Sequence, residues 1–393
     1  GLGDVYKRQE LLEGDKWDVQ SGGKYYVIRN SSSIIAFEMP KKDFGAFMIC
    51  ASHTDSPSFK LKPDFEINAD GCIKLSVEGY GGMIMSSWLD RPLSISGRIV
   101  TAKNGKVETK LVNIDRDLLV IPSLAIHMSR DINKGYEFNI RRDMCPIASD
   151  KNGRIEDIIA ENVGVDKEEI LGFDLSLYNR MRGTVLGADG EYFSAPRIDD
   201  LQCMYSTLEG FLNSESDDNV TVFAAFDNEE VGSGTKQGAK SSFLRDVLER
   251  ICNNSETYKR AVAKSFMLSC DNAHAVHPNF ADKSDGTNRV YMNGGIVIKY
   301  NANQRYTTDA VSEAVVKYVC KNAGVPYQMY ANRSDIPGGS TLGNLSNEKV
   351  SLNTADIGLA QLAMHSSYET AGSRDTEYMV KMIKEFYKTE IVL

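Results

Sequence analysis

Val220-Thr-Val-Phe-Ala-Ala-Phe226 runs straight into Asp227-Asn-Glu-Glu-Val-Gly-Ser233. The apolar run reads as a buried strand of a parallel sheet. Glu229 and Glu230 then place two carboxylates side by side at its end, which is costly unless something nearby uses the charge. Loops at the carboxyl ends of strands are where open α/β sheets put their chemistry. Neighbouring side chains there can point to different targets, so one carboxylate can hold a metal while the other handles a proton. Taken alone, the pair also reads as a solvated acidic loop.

Working outward, the same setting recurs. Ala46-Phe-Met-Ile-Cys-Ala51 is a strand that runs into Ser52-His53-Thr-Asp55-Ser-Pro57. Asp199 stands just before a helix whose apolar face is Leu201, Met204, Leu208, Phe211 and Leu212. Asp271 follows the strand around Phe266, and His365 sits in Leu362-Ala-Met-His-Ser366. Further strands are expected at Lys24–Arg29, Ser33–Phe37 and Ile296–Lys299. Helices are expected from Phe243, Val247 and Ile251, from Val311, Ala314, Val315, Tyr318 and Val319 with Gly324 as terminator, and from Met379, Met382, Ile383, Phe386 and Tyr387.

Between about 62 and 190 the texture changes to period-two alternation, with Asn104-Gly105 as a hairpin turn. Asp166-Lys-Glu-Glu169 has the spacing of a capping box opening a short helix. The expected organisation is an α/β catalytic domain formed by 10–61 and 191–393, interrupted by a β-rich oligomerisation domain at 62–190. Residues 1–9 read as a non-native leader, because Gly3-Asp-Val-Tyr-Lys-Arg-Gln9 looks like the in-frame translation of a sequencing adapter. Native sequence is then expected from near Glu10, with more residues upstream.

The bulk numbers narrow the chemistry. A chain of 393 residues suggests two domains. A formal net charge of -9 argues against nucleic-acid or anionic-membrane partners. No apolar run approaches the ~20 residues that span a bilayer. Seven scattered cysteines form no C-x-x-C, which fits reduced thiols in a cytoplasm and excludes a thiolate zinc cluster of the usual spacing. A metal here must use histidine and carboxylate. Two histidines with several carboxylates suit a hydrolytic two-metal site, which zinc fills more readily than magnesium or calcium.

Six motifs in order carry a resemblance over the chain from about Trp17: Ser52-His-Thr-Asp-Ser-Pro57, Ala195-Pro-Arg-Ile-Asp-Asp-Leu201, Asp227-Asn-Glu-Glu-Val-Gly-Ser233, Ser269-Cys-Asp-Asn-Ala-His-Ala-Val-His-Pro-Asn-Phe280, Asn303-Gln-Arg-Tyr306 and Ala363-Met-His365. The chain resembles the aspartyl aminopeptidases, a branch of the dinuclear zinc exopeptidases. The resemblance implies a zinc-exopeptidase-like α/β/α sandwich with a mixed sheet, plus an inserted β-rich dimerisation domain. It implies that His53 and Asp271 hold one zinc, Glu230 and His365 the other, and Asp199 bridges them. Asp200 is the rival for the bridge; the family commonly has Asn at its position. Glu229 would be the general base, and Asp55 would orient His53. Lys299, Gly338, Gly339 and Ser340 would line the substrate pocket, with Lys299 as the cation for an acidic residue. His127 would reach a neighbouring subunit's site and steady the oxyanion, while His274 and His277 would support the ligands around Asp271.

The expected function is a cytoplasmic metallo-aminopeptidase that removes N-terminal residues, preferentially Asp or Glu, from peptides with a free N-terminus. It would use a two-zinc-activated water and Glu229, with cobalt or manganese as possible substitutes. Assembly to a homo-oligomer, up to a dodecamer, is implied through the inserted module. The rivals are a dinuclear zinc amidohydrolase acting on acylated amino acids and a non-catalytic metal-binding assembly protein.

Overall fold

The computed structural model describes residues 8–103, 105–214, 216–252 and 254–391. Residues 1–7 of the expected leader and Asn104 of the expected hairpin turn lie outside the described residues.

The central layer is a nine-stranded mixed sheet. Its strands run, edge to edge, Gln9–Glu10, Lys24–Arg29, Ser33–Glu38, Val220–Phe226, Phe47–His53, Phe266–Cys270, Asn353–Gly358, Ile296–Tyr300 and Tyr327–Ala331. The strand Phe47–His53 lies at its centre, parallel to both neighbours, and every one of its residues is buried. Such total burial requires cover on both faces. One face carries Phe47, Ile49, Ala51, Val222, Ala224 and Phe226 against the helix Phe243–Ile251 and the residues Leu342 and Leu345. The other carries Met48, Cys50, Phe223, Ala225, Leu268 and Ile298 against the helices Ile198–Leu212, Ala310–Ala323 and Asp375–Lys388. The result is the three-layered α/β/α sandwich the resemblance implied.

Two expected helix faces are turned relative to the sequence reading. On Ile198–Leu212 the deepest residues are Cys203, Ser206, Thr207, Gly210 and Phe211, while Leu201, Met204, Leu208 and Leu212 are only half-buried. Close helix contact is the reason: a Cβ on Gly210 would stand 2.4 Å from Ile383 Cγ2. On Ala310–Ala323 the buried residues are Ser312, Val316, Val319 and Cys320, so Val319 is buried as expected, whereas Val311 and Tyr318 face solvent. Gly324 terminates this helix in the left-handed conformation, as expected. Its start is a capping box between Asp309 and Ser312. The box expected at Asp166 is not formed; its side chain caps nothing and only the three-residue 3-10 turn Lys167–Glu169 follows.

A second sheet is six-stranded and antiparallel: Lys106–Asn113, Leu93–Lys103, Ile170–Asn179, Ser58–Ala69, Cys72–Tyr80 and Ile147–Asp150. Lys103 pairs with Lys106 across the expected hairpin, and Gly105 takes φ +76°. One face of this sheet packs Phe59, Leu75, Ile95, Ile99, Leu175 and Leu177 under the helix Ile155–Val163. A third, five-stranded sheet joins Thr184–Leu186, Tyr192–Ala195, Glu369–Gly372, Ala360–Leu362 and Ala273–His274. No described helix is long and apolar enough to cross a membrane.

Candidate metal centre and active site

The register of the central strands decides where the chemistry gathers. Phe226 is paired with His53 and Ser269 with Ala51, so three parallel strands end together. Beyond those ends come His53, the Glu229–Val231 turn, and Asp271. Asp199 enters from the start of the helix Ile198–Leu212 and His365 from the loop before Glu369–Gly372. Together these residues line a cleft of about 330 Å³ with Lys299, Tyr306, Tyr330, Gly339, Ser340 and Met364.

Both imidazoles are held the same way. His53 Nδ1 donates to the Asp55 carbonyl at 3.0 Å, and His365 Nδ1 donates to the Gly82 carbonyl at 2.6 Å. A carbonyl only accepts, so each ring turns Nε2 toward the cleft. There His53 Nε2 stands 3.4 Å from Asp199 Oδ1 and 3.7 Å from Asp271 Oδ1. His365 Nε2 stands 3.3 Å from both Asp199 Oδ2 and Glu230 Oε2. Asp199 thus offers one oxygen to each histidine. Asp200, joined to it by a cis peptide, has one oxygen engaged elsewhere: its Oδ2 accepts the backbone N–H of His53 at 3.1 Å.

These distances test whether a cation fits. Asp199 Oδ1, Asp200 Oδ1 and Glu230 Oε1 are buried with no hydrogen-bond partner. Ligand atoms of His53, Asp199, Asp200 and Asp271 lie within 4.8 Å of one another, as do those of Asp199, Glu230 and His365. Four carboxylates, those of Asp199, Glu229, Glu230 and Asp271, line the cleft with Lys299, and buried charge of that kind is costly without cations. The donor set of imidazole nitrogen and carboxylate oxygen is one that zinc accepts.

The acid–base balance shows the same strain. Burial, then the neighbouring acids, pushes Glu229 up to about 7. Burial and Asp199 push Glu230 up as well. Burial opposes the imidazolium of His53, but the facing carboxylates of Asp199, Asp271 and Asp55 outweigh it and raise its pKa well above the usual range. Burial likewise opposes His365, and Asp199 and Glu230 raise it to about 9.

The structure does not bring every expected residue here. Lys299 lines the cleft but is 2% exposed, with its amine donating to the Asn272 carbonyl at 2.8 Å and Asp271 Oδ2 at 3.2 Å. Gly338 stands aside, its carbonyl accepting from Arg305 Nη1. His127 is exposed, outside the cleft of its own chain. His274 lines the cleft and His277 the space beside it. The Asp55 carboxylate does more than face His53: it accepts the backbone N–H groups of Glu229 and Glu230 at 3.0 and 3.1 Å.

Two participants were missed. Tyr80 donates to Asp55 Oδ2 at 2.6 Å, and Glu369 accepts the backbone N–H groups of Asp199 and His365 at 3.0 and 2.7 Å. Tyr80 sits in a strand of ordinary alternating texture and gave no signal. Glu369, four residues beyond His365 in an otherwise uncharged stretch, was the findable one.

The family model described as aminopeptidase I zinc metalloprotease (M18) matches residues 5–387. A probable M18 family aminopeptidase 2 of Clostridium acetobutylicum is 45% identical over 96% of this chain and 91% of its own length. A protein of the same description from Pseudomonas aeruginosa is 38% identical over 97% and 91%. Among solved structures, a chain in the cryo-EM structure of the Ape4 and Nbr1 complex aligns with a TM-score of 0.95 at 35% identity, covering 98% of this chain and 80% of that one. The S. cerevisiae mApe1 dodecamer aligns with a TM-score of 0.83 at 28% identity, covering 98% and 90%. The family model over most of the chain and relatives at 38–45% identity show that the chain belongs to the M18 family of zinc metallo-aminopeptidases.

Proposed function

We propose that this aminopeptidase holds two zinc ions and prefers peptides beginning with Asp or Glu. The observation that carries the reading is Asp199, which spans His53 and His365 with one oxygen toward each. In this reading Asp199 bridges, His53 and Asp271 complete one site, and Glu230 and His365 complete the other. When bound, the ions would act as Lewis acids that polarise the scissile carbonyl and acidify a water.

The chain's own groups do the rest. Glu229 lines the cleft and takes the proton from the attacking water, then returns it to the leaving amine. Its neutral form cannot act as a base, so activity rises with pH along a limb centred at or below about 7, since bound cations pull the carboxyl down from the value that burial gives it. The substrate's free α-amino group sits among the acids of the cleft, which makes the enzyme an exopeptidase. Lys299 supplies the cation for an acidic side chain. Two of its three N–H donors are already directed to Asp271 and Asn272, so the third is the one that reads the substrate. Gly339 and Ser340 lie along the same wall.

We place the catalytic domain at 10–61 and 191–393 and an oligomerisation domain at 62–190, the stretch that holds most of the six-stranded sheet. The dodecamer of mApe1 supports a homo-oligomer here, and in this reading His127, exposed on its own chain, reaches a neighbouring subunit's cleft. A cytoplasmic setting is supported by seven free cysteines.

The test is a panel of aminoacyl-chromophores and one N-acetylated counterpart, each with and without chelator and zinc. Chelator-sensitive turnover of Asp and Glu substrates above Leu is expected. Turnover of the N-acetylated compound alone would overturn the aminopeptidase reading. Lys299→Ala should then cost the Asp substrate at least ~10-fold more than the Leu substrate, the loss of a charge-assisted contact; equal losses would remove Lys299 from specificity.

A further inference from the structure

The segment after the strand Cys72–Tyr80 touches the metal centre at three consecutive residues. The Tyr80 phenol donates to Asp55 Oδ2 at 2.6 Å and accepts from Asn228 Nδ2 at 2.8 Å. A Cβ on Gly81, which takes φ +73°, would stand 3.1 Å from Glu230 Cβ. The Gly82 carbonyl accepts from His365 Nδ1, and Ile84 N–H donates to the His365 carbonyl at 3.0 Å. All of this belongs to the six-stranded sheet's side of the molecule, not to the layer that carries the ligands.

We propose that the strap Tyr80–Ile84 is a positioning device for the metal centre, with Tyr80 as its working side chain. The phenol fixes the Asp55 carboxylate, and that carboxylate fixes the backbone of Glu229 and Glu230. The turn Glu229–Val231 has few other ties. Asn228, which precedes it in the left-handed conformation, is held by Thr235 and Gln237 on its oxygen and by the phenol on its nitrogen. The phenol is therefore tied to both the cradle and the entry of one turn, and that turn carries the base and one ligand side by side. Lys60, with its amine 4.4 Å above the Tyr80 ring, braces the ring from the same sheet. Groups that hold ligands in this way set metal affinity and activity by about 10–100-fold.

This inference rests on the two-zinc reading, and its test separates the two. In the full chain, Tyr80→Phe removes only the hydroxyl and leaves the ring on Lys60. Zinc affinity is read by chelator competition, beside kcat, KM and the melting temperature. The expected result is a ~10–100-fold weaker zinc site and a kcat lowered by a similar factor, with KM within about twofold of wild type. A wild-type affinity and kcat in Tyr80→Phe would overturn the proposal. Adding Tyr80→Phe to Asp55→Asn should weaken zinc binding by less than about twofold more, because the two act through one contact. Full additivity there would overturn it even if Tyr80→Phe alone lost stability. A wild-type chain that bound no zinc would overturn the two-zinc reading, and this one with it.

Discussion

In the proposed two-zinc reading, the two halves of the centre are built differently. His53 ends a strand flanked on both sides, is 1% exposed, and takes its position from the sheet. Asp271 follows the neighbouring strand. Glu230 and His365 sit on loops instead: one on a 3-10 turn, the other with φ +66° and a side chain 32% exposed. Each imidazole has its own hydrogen bond to a carbonyl, but the first half has the sheet besides, whereas the second relies on hydrogen bonds accepted by Asp55, Glu369 and Gly82. A ligand at the end of a packed strand is hard to displace. A ligand on a loop is only as well placed as the groups that hold it.

The largest effect should come from the residue that binds no metal in this reading. Glu229→Gln is expected to lower kcat by on the order of 10²–10⁴-fold while zinc content stays at wild type. Loss of zinc together with activity would make Glu229 a ligand and merge the two halves. Next, a chelator should strip the ions in two phases, the faster from the Glu230–His365 half. A single phase, measured by zinc release against time, would erase the distinction drawn above.

A third experiment compares one supporting group from each half. Glu369→Gln puts an amide N–H against the backbone donors of Asp199 and His365 and should weaken zinc binding by ~10-fold or more. Asp200→Asn keeps an oxygen for the His53 N–H and should cost much less. The reverse order would mean that the strand-borne half is the more dependent on its supports. Smallest is a control far from the site. Asp309→Ala removes the capping box and should cost about 1 kcal/mol in denaturant unfolding with kcat unchanged. Hydrogen bonding from the Ser312 backbone lowers the Asp309 pKa, so this contribution is full above about 4 and is lost as pH falls through the lower folded value. A loss that stayed constant down to pH 2 would exclude the charged cap.

Strand ends were legible in the sequence because burial on both faces leaves unbroken apolar runs, as in Phe47–Ala51 and Val220–Phe226. The residues that follow those runs, His53, Glu229, Glu230 and Asp271, could be named for the same reason. Helix faces were read less well where close packing replaced large residues with Gly210, Ser206 and Thr207, which carry no apolar signature. Least legible were the holders. Tyr80 is 25 residues from Asp55 and reaches it because the hairpin of Ser58–Ala69 and Cys72–Tyr80 pairs Tyr80 with Ser58, and nothing in the alternating pattern sets that tyrosine apart. The Asp166 spacing misled in the other direction: a capping pattern exists there without enough helix behind it.

The order of strands in the central sheet also bears on how the chain is made. Phe47–His53 is synthesised early, yet its partners are Val220–Phe226 and Phe266–Cys270. Until the ribosome has passed residue 226 this buried strand has neither neighbour, and until residue 270 it still lacks one of the two. The antiparallel sheet between Ser58 and Asn179 needs no later residue and is complete first. Non-local pairing of this kind is slow and leaves sticky edges in waiting. The nascent protein therefore passes through a stage in which its antiparallel sheet is finished while its central sheet is still an open, aggregation-prone edge. The demand for a chaperone falls on that interval.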